Sequence, residues 1–97
     1  MQQVSMQLAH LPYQIIFAQN GMIGFQPMGQ FKPIVEYFED SLVVIDSSGI
    51  MIDNNLYEAG EGINYKNEPK LLKWLQSLNL EMPNLQPQGF PFGFYQA

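Results

Sequence analysis

The chain has 97 residues, so we expect a single domain (1–97), which at this size buries about 60–70% of the surface of its unfolded chain. Charged residues make up 13% of the chain, the net charge is −5, and the four cations are all lysines. Without arginine, and with acids in excess, a nucleic-acid partner is not expected. The absence of cysteine excludes disulfides and sulfur-ligated metals.

The N-terminal segment carries no pattern typical of a stable element. We expect residues 1–10 to be frayed or weakly helical. The segment has neither a basic n-region nor an apolar h-region, so it does not resemble a signal peptide. The longest aliphatic run, Leu42 to Ile45, is far shorter than the ~20 residues that span a bilayer. We therefore expect a cytoplasmic protein without a membrane partner.

The first hairpin signal is Asn20-Gly21, which lies between two apolar runs. This dipeptide favours a two-residue type I′ turn, because both residues tolerate positive φ. Such a turn would place Ala18 opposite Ile23 and Ile16 opposite Phe25. Pro27 should end the second strand, since proline donates no backbone hydrogen bond.

Residues 33–40 fit two structures. An i, i+4, i+8 spacing of apolar residues from Ile34 suits a short helix, whereas the β-branched and aromatic content suits a strand. We favour a strand or an extended segment here.

The second hairpin is predicted at residues 42–53, where two apolar runs flank Asp46-Ser47-Ser48-Gly49. Asp is favoured at the first position of a type I turn and Gly at the fourth. The Asp46 carboxylate can accept a hydrogen bond from the backbone two residues on. Gly49 would adopt a left-handed conformation and form a bulge.

A loop and then a helix follow. Residues 54–69 are polar and contain glycine, so they indicate a loop. The helix is predicted over 68–78, with Asn67 as N-cap, Pro69 in the first turn and a leucine stripe on one face. Asn79 should take the left-handed position at its C-terminal end.

Reactive groups are few. The only histidine is His10, so a Ser–His pair is not expected. The acidic loop beginning at Asp53 departs from the calcium-binding loop pattern, because Glu58 stands where that pattern needs glycine. We therefore predict no catalytic residue, no metal and no cofactor. The alternative is a small-molecule- or metal-binding enzyme subunit that uses the carboxylates of Asp46, Asp53 and Glu58.

The C-terminal segment, residues 83–97, is an extended tail of proline, glycine and aromatic residues without a charged side chain. Its alternating phenylalanines would lie on one side of an extended backbone. They either cover the sheet of their own subunit or bind a partner. The predicted partner-contact residues are Phe90, Phe92, Phe94 and Tyr95, with Trp74 added if it lies on the outer side of the helix.

The predicted fold class is α+β. It consists of a small, mostly antiparallel sheet from two hairpins, covered by the one helix in the C-terminal half. One helix covers only one face of such a sheet. The chain is therefore predicted to be a small non-catalytic protein-interaction or regulatory module that forms a homodimer or binds another protein.

Overall fold

The structure, a computed structural model, describes residues 3–18 and 20–80. Within these residues the chain forms two antiparallel sheets and a single α-helix in its C-terminal half, which is an α+β fold. The elements are β1 (Gln3–Gln7), β2 (Tyr13–Ala18), β3 (Ile23–Pro27), β4 (Ile34–Phe38), β5 (Ser41–Asp46), β6 (Gly49–Ile52), β7 (Asn55–Glu58), a 3-10 turn (Tyr65–Asn67) and α1 (Pro69–Ser77). The two predicted hairpins are present, but each belongs to a separate sheet.

The three-stranded sheet has the order β1-β2-β3. Residues 3–7 form β1 rather than the weakly ordered segment expected, because Val4 and Met6 pack against the core while Ser5 and Gln7 face outward. The strand β3 ends at Pro27, as predicted.

The register of the β2–β3 hairpin differs from the prediction by one residue. Phe17 lies opposite Ile23, and Ile15 lies opposite Phe25. The connection is longer than the two-residue turn expected, because the Ala18 amide donates to the Met22 carbonyl at 2.9 Å. Since neighbouring side chains on a strand alternate between faces, this register places all four large apolar side chains on the core face.

The four-stranded sheet has the order β4-β5-β6-β7, so each strand pairs with the next in the chain. The ambiguous segment is the strand β4, as favoured from the sequence. The turn at Asp46 is also confirmed, since Asp46 lies opposite Gly49 and the carboxylate accepts from the Ser48 amide at 2.9 Å. The predicted bulge is absent, because the β5–β6 ladder continues in regular register from that pair to Val43 and Ile52.

The strand β7 was not predicted, because its residues read as part of a polar loop. Asp53 and Asn54 adopt positive φ angles of 51° and 70°, and they connect β6 to β7 through a tight turn in which Ile52 lies opposite Asn55. Two left-handed residues are what a type I′ hairpin turn requires, and Asp and Asn tolerate that conformation. The Asp-Asn pair was therefore a hairpin signal that the loop interpretation passed over.

The helix α1 agrees with the prediction within a residue at each end. Its N-cap is Glu68 rather than Asn67, and no side chain caps the helix there. Pro69 occupies the first turn, where its missing N–H leaves no helical hydrogen bond unmade. Asn79 has a φ of 57°, which confirms the left-handed residue expected after the helix.

The inward faces of both sheets and one face of α1 share a single buried cluster. Its largest members are aromatic, and Tyr13 makes edge-on ring contacts with Phe25 and Phe31. The helix contributes Leu71, Trp74 and Leu75. Among the described residues, no helix has the length and apolar character needed to span a membrane. The predicted aromatic tail, 83–97, lies outside the described residues.

Candidate functional site

The outer face of the four-stranded sheet is apolar. Because side chains alternate along a strand, every second residue points away from the core. A continuous row crosses all four strands, since Val35 lies opposite Val44, Val44 opposite Met51, and Met51 opposite Leu56. A second row beside it contains Tyr37 opposite Leu42. We call these six residues the apolar face: Val35, Tyr37, Leu42, Val44, Met51 and Leu56.

Much of the apolar face is open to solvent. Tyr37 is 78% exposed, Val35 57%, Leu56 50% and Leu42 40%. Val44 and Met51, in the middle of the first row, are half-buried by their neighbours. Single exposed apolar residues are common on protein surfaces, whereas contiguous sets of them are often found at interaction sites.

The outer face of the three-stranded sheet has a different composition. Its corresponding row consists of Gln7, Gln14 and Gln26, which lie opposite one another across β1, β2 and β3. All three are exposed. Amide side chains hydrogen-bond readily to water, and Ile16 and Ala18, the apolar residues that β2 places on this face, are half-buried. The two outer faces therefore differ in how much large apolar side chain they expose, and the exposed apolar residues of the strands lie on the four-stranded sheet.

One margin of the apolar face is acidic. Asp46 and Glu58 flank Gly49 in the row beyond Val44 and Met51. The Asp46 carboxylate accepts from the Ser48 hydroxyl at 2.6 Å and from its amide at 2.9 Å. These hydrogen bonds hold the pKa of Asp46 below its ordinary value. The carboxylate is thus used within its own turn.

The opposite margin is formed by Asp53. Its carboxylate accepts from the Ser41 hydroxyl at 3.0 Å, from the Leu42 amide at 3.3 Å and from the Lys70 ammonium. The hydrogen bonds from Lys70 and Ser41 lower the pKa of Asp53. This side chain therefore connects the β6–β7 turn to the first turn of α1.

The carboxylates that the alternative interpretation would use do not converge. Asp46 and Glu58 lie at one margin of the apolar face and Asp53 at the other. Within residues 3–18 and 20–80, no group of three or more His, Asp or Glu side chains is arranged to hold a metal ion. No single site in this part of the chain therefore collects these three acids.

Two tyrosine hydroxyls are hydrogen-bonded beneath the sheets. Tyr13 donates to the Asp46 carbonyl at 2.7 Å, and burial together with the Asp46 charge raises the pKa of Tyr13 to about 12. Tyr57 donates to Glu68 at 3.0 Å, and burial followed by the Glu68 contact raises the pKa of Tyr57. Both phenols stay protonated at neutral pH and act as structural donors.

A groove of about 360 Å³ lies over the three-stranded sheet beside residues 60–62. Glu61 is the one ionisable residue among the described residues that line it. General acid–base catalysis normally pairs groups of different pKa, and this lining offers a single carboxylate. The groove gives no specific support to the enzyme alternative.

Comparison with protein-family models, with curated proteins and with solved structures found no match to this chain. The apolar face must therefore be interpreted from its own chemistry.

The structure places one of the predicted partner-contact residues. Trp74 is 1% exposed and lies in the core between the sheets and α1. Its indole is not available to a partner in this conformation, so the condition attached to its prediction is not met. The other four, Phe90, Phe92, Phe94 and Tyr95, lie outside the described residues.

The sequence predicted a sheet face that the helix leaves uncovered, but it was not assigned to β4–β7, although a signal for that location was present. A strand with one solvated face alternates between apolar and polar residues, whereas a strand covered on both faces reads as a continuous apolar run. Leu42 to Ile45 is such a run in β5, and β4 carries Val35 and Tyr37 on its second face. Both strands therefore indicate a sheet that is covered on both sides.

Proposed function

We propose that this chain is a small non-catalytic protein-interaction module that associates with a second copy of itself through the apolar face. The observation that carries the proposal is the row Val35–Val44–Met51–Leu56, apolar from one sheet edge to the other, with Tyr37 exposed beside it. Contiguous apolar surface is removed from water with a gain of about 25 cal/mol per Å². A second copy supplies a surface of the same chemistry.

Shape supports a second copy as the occupant. Sheet faces pack on one another at a distance of about 10 Å when their side chains are apolar. A twofold axis in the plane between two such faces would bring each apolar face onto the other, as in an isologous dimer. No described lysine belongs to the face itself; Asp46 and Glu58 lie at one margin, and Asp53 with its partner Lys70 lies at the other.

The area of the apolar face sets the expected strength of dimer association. Four strands spaced about 4.8 Å apart and five residues at about 3.4 Å each give a face of roughly 19 by 17 Å. A stable interface buries about 800 Å² on each partner, which is more than this face alone provides. The proposed association is therefore weak and reversible, as suits a regulatory contact.

The roles of the carboxylates support a non-catalytic chain. Asp46 stabilises its own turn and Asp53 joins a turn to α1, so each has a structural use that explains its presence. The enzyme-subunit alternative would need these groups around one ligand. They lie instead on opposite margins of a sheet.

The proposal is tested by introducing a charge into the face. Leu56→Lys and Val35→Lys alter exposed positions, so the fold should tolerate them, but each would place an ammonium in the dimer interface. Burying an unpaired charge is costly, and we expect the dimer dissociation constant to rise by about tenfold or more. Sedimentation velocity over a concentration series measures this constant.

Matched controls are available on the other sheet. Gln14→Lys and Gln26→Lys make the same change of charge on the exposed outer face of the three-stranded sheet. They should leave the dissociation constant unchanged. A wild-type chain that stays monomeric throughout the series would overturn the proposal, as would an equal effect of the lysines on both sheets.

A further inference from the structure

We propose that the aromatic segment of the same chain, residues 90–94, binds the apolar face and competes there with a second copy. The inference rests on the proposed function, because it concerns the same face. It assigns a regulatory role to the C-terminal segment, in which the tail sets how much of the face is free for association.

The first argument is chemical. Beyond Leu80, Glu81 is the only charged residue, and Phe90, Phe92 and Phe94 alternate with Pro91 and Gly93. Each aromatic side chain can bury about 150–250 Å², so three rings carry more than enough apolar surface to cover a face of this size. An uncharged segment also meets no repulsion from the acidic margin at Asp46 and Glu58.

The second argument is one of spacing. In an extended segment, alternate side chains lie on one side at intervals of about 6.8 Å. The two rows of the apolar face are separated by the same two-residue interval along β4 and β5, from Val35 to Tyr37 and from Val44 to Leu42. Rings on one side of an extended tail can therefore lie against successive rows.

The third argument is reach. The Lys70–Asp53 hydrogen bond joins the start of α1 to the turn beside Leu42. The bonded side chains, the helix and the three residues after it place Leu80 at most about 35 Å from that turn. The ten Cα–Cα steps from Leu80 to Phe90 span up to ~33–36 Å, so the segment is long enough to reach its own sheet.

Tethering determines whether the tail of the same chain or a second copy occupies the apolar face. A short flexible connection gives an attached segment an effective concentration of about a millimolar at its own site. A separate chain at micromolar concentration cannot match this. The tail of the same chain is therefore the favoured occupant, and it weakens association with a second copy.

The test compares isotope-labelled wild-type chain with the full-length variant Phe90→Ser, Phe92→Ser, Phe94→Ser by NMR. Removal of the rings should shift the amide and methyl signals of the apolar face, and part of these shifts should persist when the protein is diluted below the dimer dissociation constant. The control variant Gln86→Ser, Gln88→Ser, Gln96→Ser makes three changes in the same segment without removing a ring. It should leave the signals of the face in place.

Sedimentation velocity provides the second readout. The Phe-to-Ser variant should associate several-fold more tightly than wild type, because a competitor has been removed. Shifts confined to residues 81–97 would overturn the inference, and so would shifts that appear only when the concentration is raised, since those assign the tail to a second copy. If the tail has no effect while Leu56→Lys still weakens association, this inference fails and the proposed function stands.

Discussion

Gly49 shows how one residue determines the spacing of β5, β6 and β7. Its φ is 158°, and a Cβ at this position would lie 2.6 Å from the Tyr57 carbonyl oxygen and 3.1 Å from the Glu58 Cα. Backbone atoms cannot move away as the end of a side chain can. The glycine predicted from the turn pattern is therefore needed for a different reason, the close approach of the neighbouring strand.

We expect Gly49→Ala to lower the free energy of unfolding by about 2–3 kcal/mol, because the methyl group would force two strands apart. Gly60→Ala is the matched control. Gly60 also has a positive φ, 86°, but a Cβ there would meet no heavy atom within 4 Å, so only the left-handed strain of about 1 kcal/mol remains. Urea unfolding, followed by the fluorescence of the single tryptophan, measures the free energy of unfolding of both variants. Equal losses in the two variants would contradict the steric explanation.

The carboxylate of Asp46 stabilises the β5–β6 turn in its ionised form, so this stabilisation should depend on pH. Its hydrogen bonds to Ser48 lower the pKa of the carboxyl in the folded chain below the ordinary value of 3.8. The stabilisation that these bonds provide is thus present above about pH 4 and is lost as the pH falls through the lowered pKa. Asp46→Asn removes the titration but keeps an oxygen that accepts from the Ser48 amide.

We expect the difference in unfolding free energy between wild type and Asp46→Asn to shrink as the pH falls from about 5 to 2. The amplitude should stay below about 1 kcal/mol, because water screens a carboxylate at the surface. Asp40→Asn, in the exposed β4–β5 turn, controls for the change in net charge. A difference that is constant over this pH range would show that Asp46 acts through the turn geometry alone.

At the scale of elements, local signals located the strands more reliably than they set the register. Asn20-Gly21 marked a hairpin correctly, yet the predicted register paired Ile16 with Phe25. That register would have put Phe17 on the face opposite to Phe25. The observed pairing buries Phe17, Ile15, Ile23 and Phe25 on one face. In its turn Gly21 has a φ of 88°, and the Asn20 side chain accepts from the Met22 amide at 3.0 Å.

The strands β1 and β7 were missed for a common physical reason. Each is short, and polar residues interrupt the apolar ones, with Ser5 between Val4 and Met6 in β1 and with Asn55 and Glu58 at the ends of β7, so neither shows a strong local pattern. They form because a neighbouring strand offers an unpaired edge and because Met6 or Tyr57 fits into the core. Such pairings depend on contacts that are distant in the chain, and composition alone does not reveal them.

For the whole molecule, the sequence indicated that one helix could not cover all of the apolar sheet surface. It did not indicate that this surface would be divided between two sheets that share a core. The inward faces of the two sheets and one face of α1 bury one another. The apolar sheet surface that remains uncovered is the apolar face. To predict how the apolar surface is divided between two sheets, one must know which strands pair. The sequence therefore predicted an uncovered apolar face but not which strands form it.

Net charge adds a prediction about the whole molecule. Each chain carries −5, so two copies repel while their apolar faces attract. With centres about 25 Å apart, this repulsion is worth about 2 kcal/mol at 10 mM salt and about 0.2 kcal/mol at 150 mM. We therefore expect the dissociation constant of the dimer to fall by roughly tenfold between these concentrations.

The ionic-strength series also separates an apolar interface from an ionic one. Light scattering of wild-type chain in sodium chloride should show association that strengthens up to about 150 mM and then levels off, because the Debye length is by then near 8 Å. Leu56→Lys should remain largely monomeric at every salt concentration, since screening does not relieve the desolvation of a buried ammonium. Association that weakens as salt is added would mean that ion pairs hold the copies together, and it would contradict the assignment of the interface to the apolar face.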